Sequence, residues 1–147
     1  MPELTATAAL FRAYARSLEI DPSHRGFDAE LAALPGVFGP PGGEILLAKR
    51  ADHVLGCVAL APLTPPRVAG IKRLFVREQM RGIGVGKALI TAIVDTARAL
   101  GYDEIKLDTL PQMKNAIALY QLCGFVPIPP YGSHPYPGLL CLGKKLR

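Results

Sequence analysis

The run Arg81-Gly82-Ile83-Gly84-Val85-Gly86-Lys87 is the stretch of this chain best suited to chemistry. Glycines let a backbone approach a ligand closely, and the start of a helix leaves N–H groups without intrahelical partners. Together the two features make a phosphate site. The plain alternative is a glycine-rich turn that serves folding alone. Two nucleotide motifs fail against the run. The P-loop pattern G-x-x-x-x-G-K-[ST] fails because Gly82 to Gly86 is one residue too short and Ala88 replaces the Mg²⁺-binding hydroxyl. The dinucleotide pattern G-x-G-x-x-G/A meets Lys87 at its sixth position when read from Gly82, and Leu89 when read from Gly84. The pattern R-x-x-G-x-G does fit, on Arg81, Gly84 and Gly86.

The surrounding elements must place that run between a strand and a helix. Thr5 or Thr7 can cap a first helix that reaches Leu18, with Phe11, Tyr14, Ala15 and Leu18 on one face. A short second helix fits 27–34, and a Pro/Gly loop follows it to Gly43. Apolar, partly β-branched stretches at 44–50 and 54–60 read as a hairpin across Ala51-Asp52-His53. A third strand fits 70–76, and an amphipathic helix 84–100 follows the glycine run. Its apolar stripe is expected on Val85, Ala88, Leu89, Ala92, Ile93 and Leu100, and Gly101 can end it. A strand at 104–108, a helix over 113–123 opened by Pro111, and strands at 125–128 and 139–142 complete the order. The early strands suit antiparallel pairing, whereas the step from 70 to 108 predicts a right-handed parallel crossover. The expected class is α/β: one mixed sheet with helices on both faces, in a single domain over 1–147.

At this point three segments, in order and at the right spacing, resemble the GNAT family of acyl-CoA-dependent N-acetyltransferases. KRLFV (72–76) is similar to the strand before the family's pyrophosphate loop, and RGIGVGKALI (81–90) to that loop and its helix. NAIALYQLCGF (115–125) is similar to the following helix and strand, with a tyrosine at the family's place. The resemblance covers 44–125 well and the flanks loosely. One departure stands out: only Met1 to Leu4 precede the first helix, so the family's first strand is expected to be very short or missing.

The resemblance implies acetyl-CoA as acyl donor, CoA as product and an amine as acceptor. Backbone N–H groups of Arg81, Gly82, Ile83, Gly84, Val85 and Gly86 would hold the pyrophosphate, with Arg81 and Lys87 adding charge. Phe75 and Val76 would face the pantetheine arm, and the Val76 N–H would polarise the thioester carbonyl. Asn115 would contact the cofactor arm. Tyr120 is the candidate general acid. A phenol of pKa about 10 passes a proton to a thiolate of pKa about 8.5 without a steep climb. The general base stays open among Glu78, Asp108, His134 and water. Arg73 either binds an acceptor carboxylate or sits exposed beside Lys72, and Tyr131 and His134 are expected to line the acceptor groove. His24 and His53 read as surface turn residues.

Composition sets the remaining bounds. Half of the 147 residues are hydrophobic and 20% are charged, which is a globular composition. The net charge of +5 favours anionic partners, a phosphorylated cofactor among them. No basic stripe with interleaved aromatics supports the competing reading of a nucleic-acid binder. A second competitor is an acyl-CoA-binding module with little catalysis. The basic run Lys144-Lys145-Leu146-Arg147 reads as a solvated tail. Cys57, Cys123 and Cys141 are odd in number and widely spaced, so neither a disulfide framework nor a metal site is expected. Each reads as a small core residue, which fits a reducing cytoplasm. No signal peptide or membrane-spanning stretch is expected, the acceptor is a small-molecule or protein amine, and a homodimer is an open arrangement.

Overall fold

A computed structural model describes residues 7–10, 12, 36–39, 41–51, 53–63, 67–77, 84–111, 113–129 and 139–147. Six strands form one sheet: β1 Glu44–Arg50, β2 His53–Pro62, β3 Val68–Val76, β4 Glu104–Thr109, β5 Val126–Pro127 and β6 Leu140–Lys145, in the order β1-β2-β3-β4-β6-β5. Among the described residues, only β3 and β4 run parallel. The helix α1, Val85–Ala99, makes the crossover between them, and α2, Lys114–Leu122, follows β4. The parallel step and the mixed sheet are as the sequence predicts. The first strand, the rest of the first helix and the second helix lie outside the described residues.

Strand alternation sorts the core onto two faces. Val58, Leu60, Ala69, Ile71, Ile105 and Leu107 point to the face covered by α1, where Leu89, Ile90, Ile93, Val94 and Ala97 meet them. Cys57, Ala59, Ala61 and Ile45 point to the other face and bury Leu10 and Phe38. Leu10 is helical, so helical residues lie on both faces.

Several expectations are corrected in detail. The buried stripe of α1 is rotated from the one expected: Ala88 and Ala92 are exposed, while Ile90, Val94 and Ala97 are buried. Leu100 lies past the helix end, in the turn closed by Gly101, and is exposed. Thr7 is itself helical and buried rather than a cap. Phe125 packs as core before β5 begins, because its ring meets Tyr120 edge to face at 5.5 Å between centroids. Cys57 and Cys141 are core residues, as expected, but Cys123 is only half-buried.

The C-terminal basic run is no tail. Lys144 and Lys145 belong to β6, and Leu146 is buried with its N–H donating to the Asp103 carbonyl. Arg147 Nε lies 3.2 Å from Asp103 Oδ1. These contacts close the lower end of the sheet, where β3 and β4 start side by side.

Candidate active site

The site starts with a phase change in β3. Between the pairs Cys57↔Phe75 and Ala59↔Lys72, β2 advances two residues while β3 advances three. Arg73 sits in this bulge with φ 59°, the left-handed region. Ala69 and Ile71 face α1 before the bulge, and Leu74 and Val76 face it afterwards. Without the bulge, Phe75 would face α1; with it, Phe75 packs against the opposite cluster.

Two neighbours hold the bulge in place. The Cys57 thiol donates to the Arg73 carbonyl at 3.3 Å. Burial pushes that thiol up to about 12, so it keeps the proton it donates. A Cβ on Gly56 would come within 2.6 Å of the Phe75 carbonyl oxygen, so β2 has room only for glycine there.

Before the bulge is reached, β3 and β4 part. Their ladder pairs Val68↔Glu104, Ala69↔Ile105 and Gly70↔Lys106, and no pair follows among the described residues. Above that point β3 continues to pair with β2 through Val76, and β4 with β6 through Thr109. Rungs of an antiparallel ladder alternate between hydrogen-bonded and non-hydrogen-bonded pairs. The Arg77 N–H donates to the Leu55 carbonyl, so Val76, one residue earlier, takes the other kind of rung. Its N–H therefore turns from β2 toward the gap that β4 has left.

The first turn of α1 closes one side of this gap. Gly84 precedes the helix at φ 87°, a conformation that favours glycine, and its carbonyl accepts from the Ala88 N–H. The N–H groups between them are the ones a helix leaves for a ligand. Gly84 and Lys87 are exposed, whereas Val85 and Gly86 are half-buried. A Cβ on Gly86 would lie 2.7 Å from Leu119 Cδ2 and 3.7 Å from Val76 Cγ2. The missing side chain thus lets the head of α1 meet both β3 and α2.

Tyr120 is buried one residue beyond Leu119, in the cluster that also holds Ile71 and Leu107. Its carbonyl accepts the N–H groups of Cys123 and Phe125, which ends α2 and holds the tyrosine's backbone. Asn115 is exposed on the first turn of the same helix. The structure thus brings Gly86, at the head of α1, against Val76 of β3 and Leu119 of α2, the residue before Tyr120.

Asp108 and Arg73 stand apart from Tyr120. Ile105 and Leu107 face α1, so alternation turns Asp108 to the opposite face. There its Oδ2 lies 4.0 Å from Lys72 Nζ. Lys72 and Leu119 were not singled out from the sequence. Lys72 gave no signal in the sequence, since only the ladder's offset in the structure makes it the register partner of Asp108, two positions past Gly70↔Lys106. Leu119 had no signal of its own. Glu78, Arg81, Gly82, Ile83, Tyr131 and His134 lie outside the described residues, and His53 is exposed at the start of β2. No group of three or more metal-ligating side chains occurs among the described residues. No helix there is long and apolar enough to cross a membrane.

A strand gap flanked by a glycine-headed helix can take an elongated ligand with a phosphate at one end. Known proteins agree with that geometry. Residues 7–125 match the model of the Acetyltransferase (GNAT) family. An uncharacterised N-acetyltransferase of Schizosaccharomyces pombe is 36% identical over 133 residues, covering 89% of this chain and 81% of that protein. An IAA acetyltransferase of Azospirillum brasilense is 38% identical over 98 residues, 65% of this chain and 64% of that protein. The crystal structure of a GNAT acetyltransferase from Staphylococcus aureus shares the fold with a TM-score of 0.77 at 20% identity, covering 94% of this chain and 89% of that one. An acetyltransferase of Bacillus subtilis, solved in complex with CoA, does so with a TM-score of 0.64 at 24% identity, covering 85% of each chain. The parted strands, the glycine-headed helix and the relatives agree: the chain belongs to the GNAT family of acetyltransferases, acyltransferases that use acetyl-CoA.

Proposed function

We propose that the chain, as one catalytic unit, transfers an acetyl group from acetyl-CoA to the nitrogen of a primary amine. The observation that carries this is the parting of β3 and β4 above Gly70↔Lys106, beside the N-terminus of α1. The residues present fit the donor. Gly84 is left-handed and Gly86 has no room for a side chain, so backbone N–H groups at the helix head can meet phosphate directly. Arg81, Gly82 and Ile83 would extend that cradle, and Lys87 would add a positive charge at its rim.

When bound, acetyl-CoA supplies an activated acetyl thioester. Val76 directs its N–H to the carbonyl oxygen and stabilises charge that develops there. Phe75 and Asn115 border the donor's arm. Tyr120 gives its phenolic proton to the departing sulfur. The Bacillus subtilis relative crystallised with CoA supports the donor's identity.

The test is release of the CoA thiol by the purified chain with acetyl-CoA and a panel of primary amines. The expected result is acceptor-dependent thiol release with one N-acetylated product per thiol. Tight acetyl-CoA binding without release for any amine would make the chain a binding module instead.

A further inference from the structure

The pair Lys72–Asp108 has no part in holding acetyl-CoA, yet it stands at the mouth of the seam. The β3/β4 ladder ends at Gly70↔Lys106, and its offset makes Lys72 and Asp108 opposite numbers two rungs later. Their charged atoms are 4.0 Å apart, the long limit of an ion pair, and each side chain is 28% exposed. Alternation puts both on the face away from α1 and Tyr120, since Ile71 and Leu107 face α1. The helix head and α2 crowd the first face. On the second face, which Leu10 and Phe38 cover beside β1 and β2, Lys72 and Asp108 keep part of their side chains open to an acceptor.

We infer that Lys72 and Asp108 form the acceptor's anchor and that they select amines carrying a carboxylate next to the amine, that is, free amino acids. This deepens the acetyl-transfer reading above and rests on it. Lys72 supplies the cation for the acceptor carboxylate, and Asp108 accepts a hydrogen bond from the amine nitrogen and orients it toward the gap. A zwitterion replaces both partners of the pair at once. The pair itself is long and partly exposed, whereas each new contact is charge-assisted. An amine without a carboxylate leaves Lys72 unanswered.

The test compares three acceptor sets at saturating acetyl-CoA with the full chain: free amino acids, the same amino acids as carboxamides, and alkylamines. The expected kcat/KM favours the acid over its carboxamide by about tenfold or more, the scale of one charge-assisted contact. Lys72→Met should collapse that ratio toward one, and Lys72→Arg, which keeps the charge, should retain it. A loss of stability in Lys72→Met with the ratio intact would make the pair a structural tie and overturn the anchor. Carboxamides or alkylamines turned over as well as the acids by the native chain would overturn it too, while acetyl transfer stands. Thiol release with none of the three sets overturns transfer to small amines, and the anchor with it.

Discussion

The two ends of the β3/β4 seam are built on opposite plans. At the lower end, Arg67 just before β3 donates from Nε and Nη2 to the Asp103 carboxylate at 2.6 and 2.8 Å. The Arg67 carbonyl accepts the Asp103 N–H at 2.7 Å, and Arg147 adds a second guanidinium to the same carboxylate. Arg98 and Arg147 complete the closure by donating to the carbonyls of Leu146 and Arg98. At the upper end the ladder stops after three rungs among the described residues, Arg73 is forced to a positive φ, and the ion pair Lys72–Asp108 spans 4.0 Å. A parallel pair prised open along its whole length would expose its backbone groups and lose its register. Fixing one end lets the other open without that loss. The same two strands thus form a closed frame below and, in the function proposed above, the ligand slot at the other end.

The largest effect that separates the two ends should come from Tyr120, whose place by the slot is a proposal of function. Tyr120→Phe keeps the ring against Phe125 and removes only the hydroxyl. Turnover should fall by roughly 10²-fold or more, the usual size of a general acid's share. Acetyl-CoA affinity should hardly move, because the lost bond matters in the transition state. Steady-state kinetics beside calorimetric binding would check this, and full turnover in the Phe variant would return Tyr120 to the core alone.

Gly56 tests whether the bulge depends on its neighbour. A methyl group there meets the Phe75 carbonyl oxygen at 2.6 Å, and a backbone atom cannot swing aside as a side chain can. Gly56→Ala should cost about 1–3 kcal/mol of stability by overpacking. It should also raise the KM for acetyl-CoA, since Phe75 and Val76 move with the clash. Denaturant unfolding gives the first quantity and kinetics the second. A destabilised variant with an unchanged KM would separate the bulge from the slot.

A smaller effect is expected at Gly84. Open space surrounds its missing side chain, so Gly84→Val meets no clash and suffers only for its φ of 87°. The strain is about 1–2 kcal/mol, and an equal loss at the phosphate cradle is roughly a tenfold weaker acetyl-CoA. Titration at rising ionic strength sharpens this. Native affinity should fall with salt as the charge of Lys87 and the helix head is screened. A flat salt response would leave the cradle to the backbone hydrogen bonds alone.

The upper end was the more legible in the sequence, and for a physical reason. Glycines at 84 and 86 are demanded by one backbone torsion and one close approach, so their types alone betray their place. The bulge at Arg73 was not legible. It shows only as a slip of register between β2 and β3, and an arginine gives no sign that it adopts a left-handed torsion. The lower clamp was misread for a related reason. Lys144 to Arg147 look like a solvated run until Asp103, more than 40 residues away in sequence, gives Arg147 a partner. Contacts between distant segments leave no local pattern, whereas torsional demands do.

The smallest expected effect belongs to that clamp, and it follows from the sign of one titration. The Arg67 guanidinium, with help from Arg147, holds the Asp103 carboxyl below the usual carboxylate range. A carboxyl that is more acidic in the folded chain than in the unfolded one stabilises the fold above its unfolded pKa. That contribution is lost as pH falls through the lower, folded value. Both groups are exposed, so the effect is small and is screened by salt. Other carboxyl groups titrate in the same range, so the informative quantity is the difference between the native chain and Asp103→Asn. At low salt the native chain should be the more stable at about pH 6, and the gap should close below about pH 3.8, the unfolded value. In high salt the gap should be narrow at both. Acetyl-CoA affinity at neutral pH should be the same in both proteins, because the slot lies at the other end of the seam. A weaker acetyl-CoA in Asp103→Asn would mean that the clamp also sets how far β3 and β4 part, and that frame and slot are not independent.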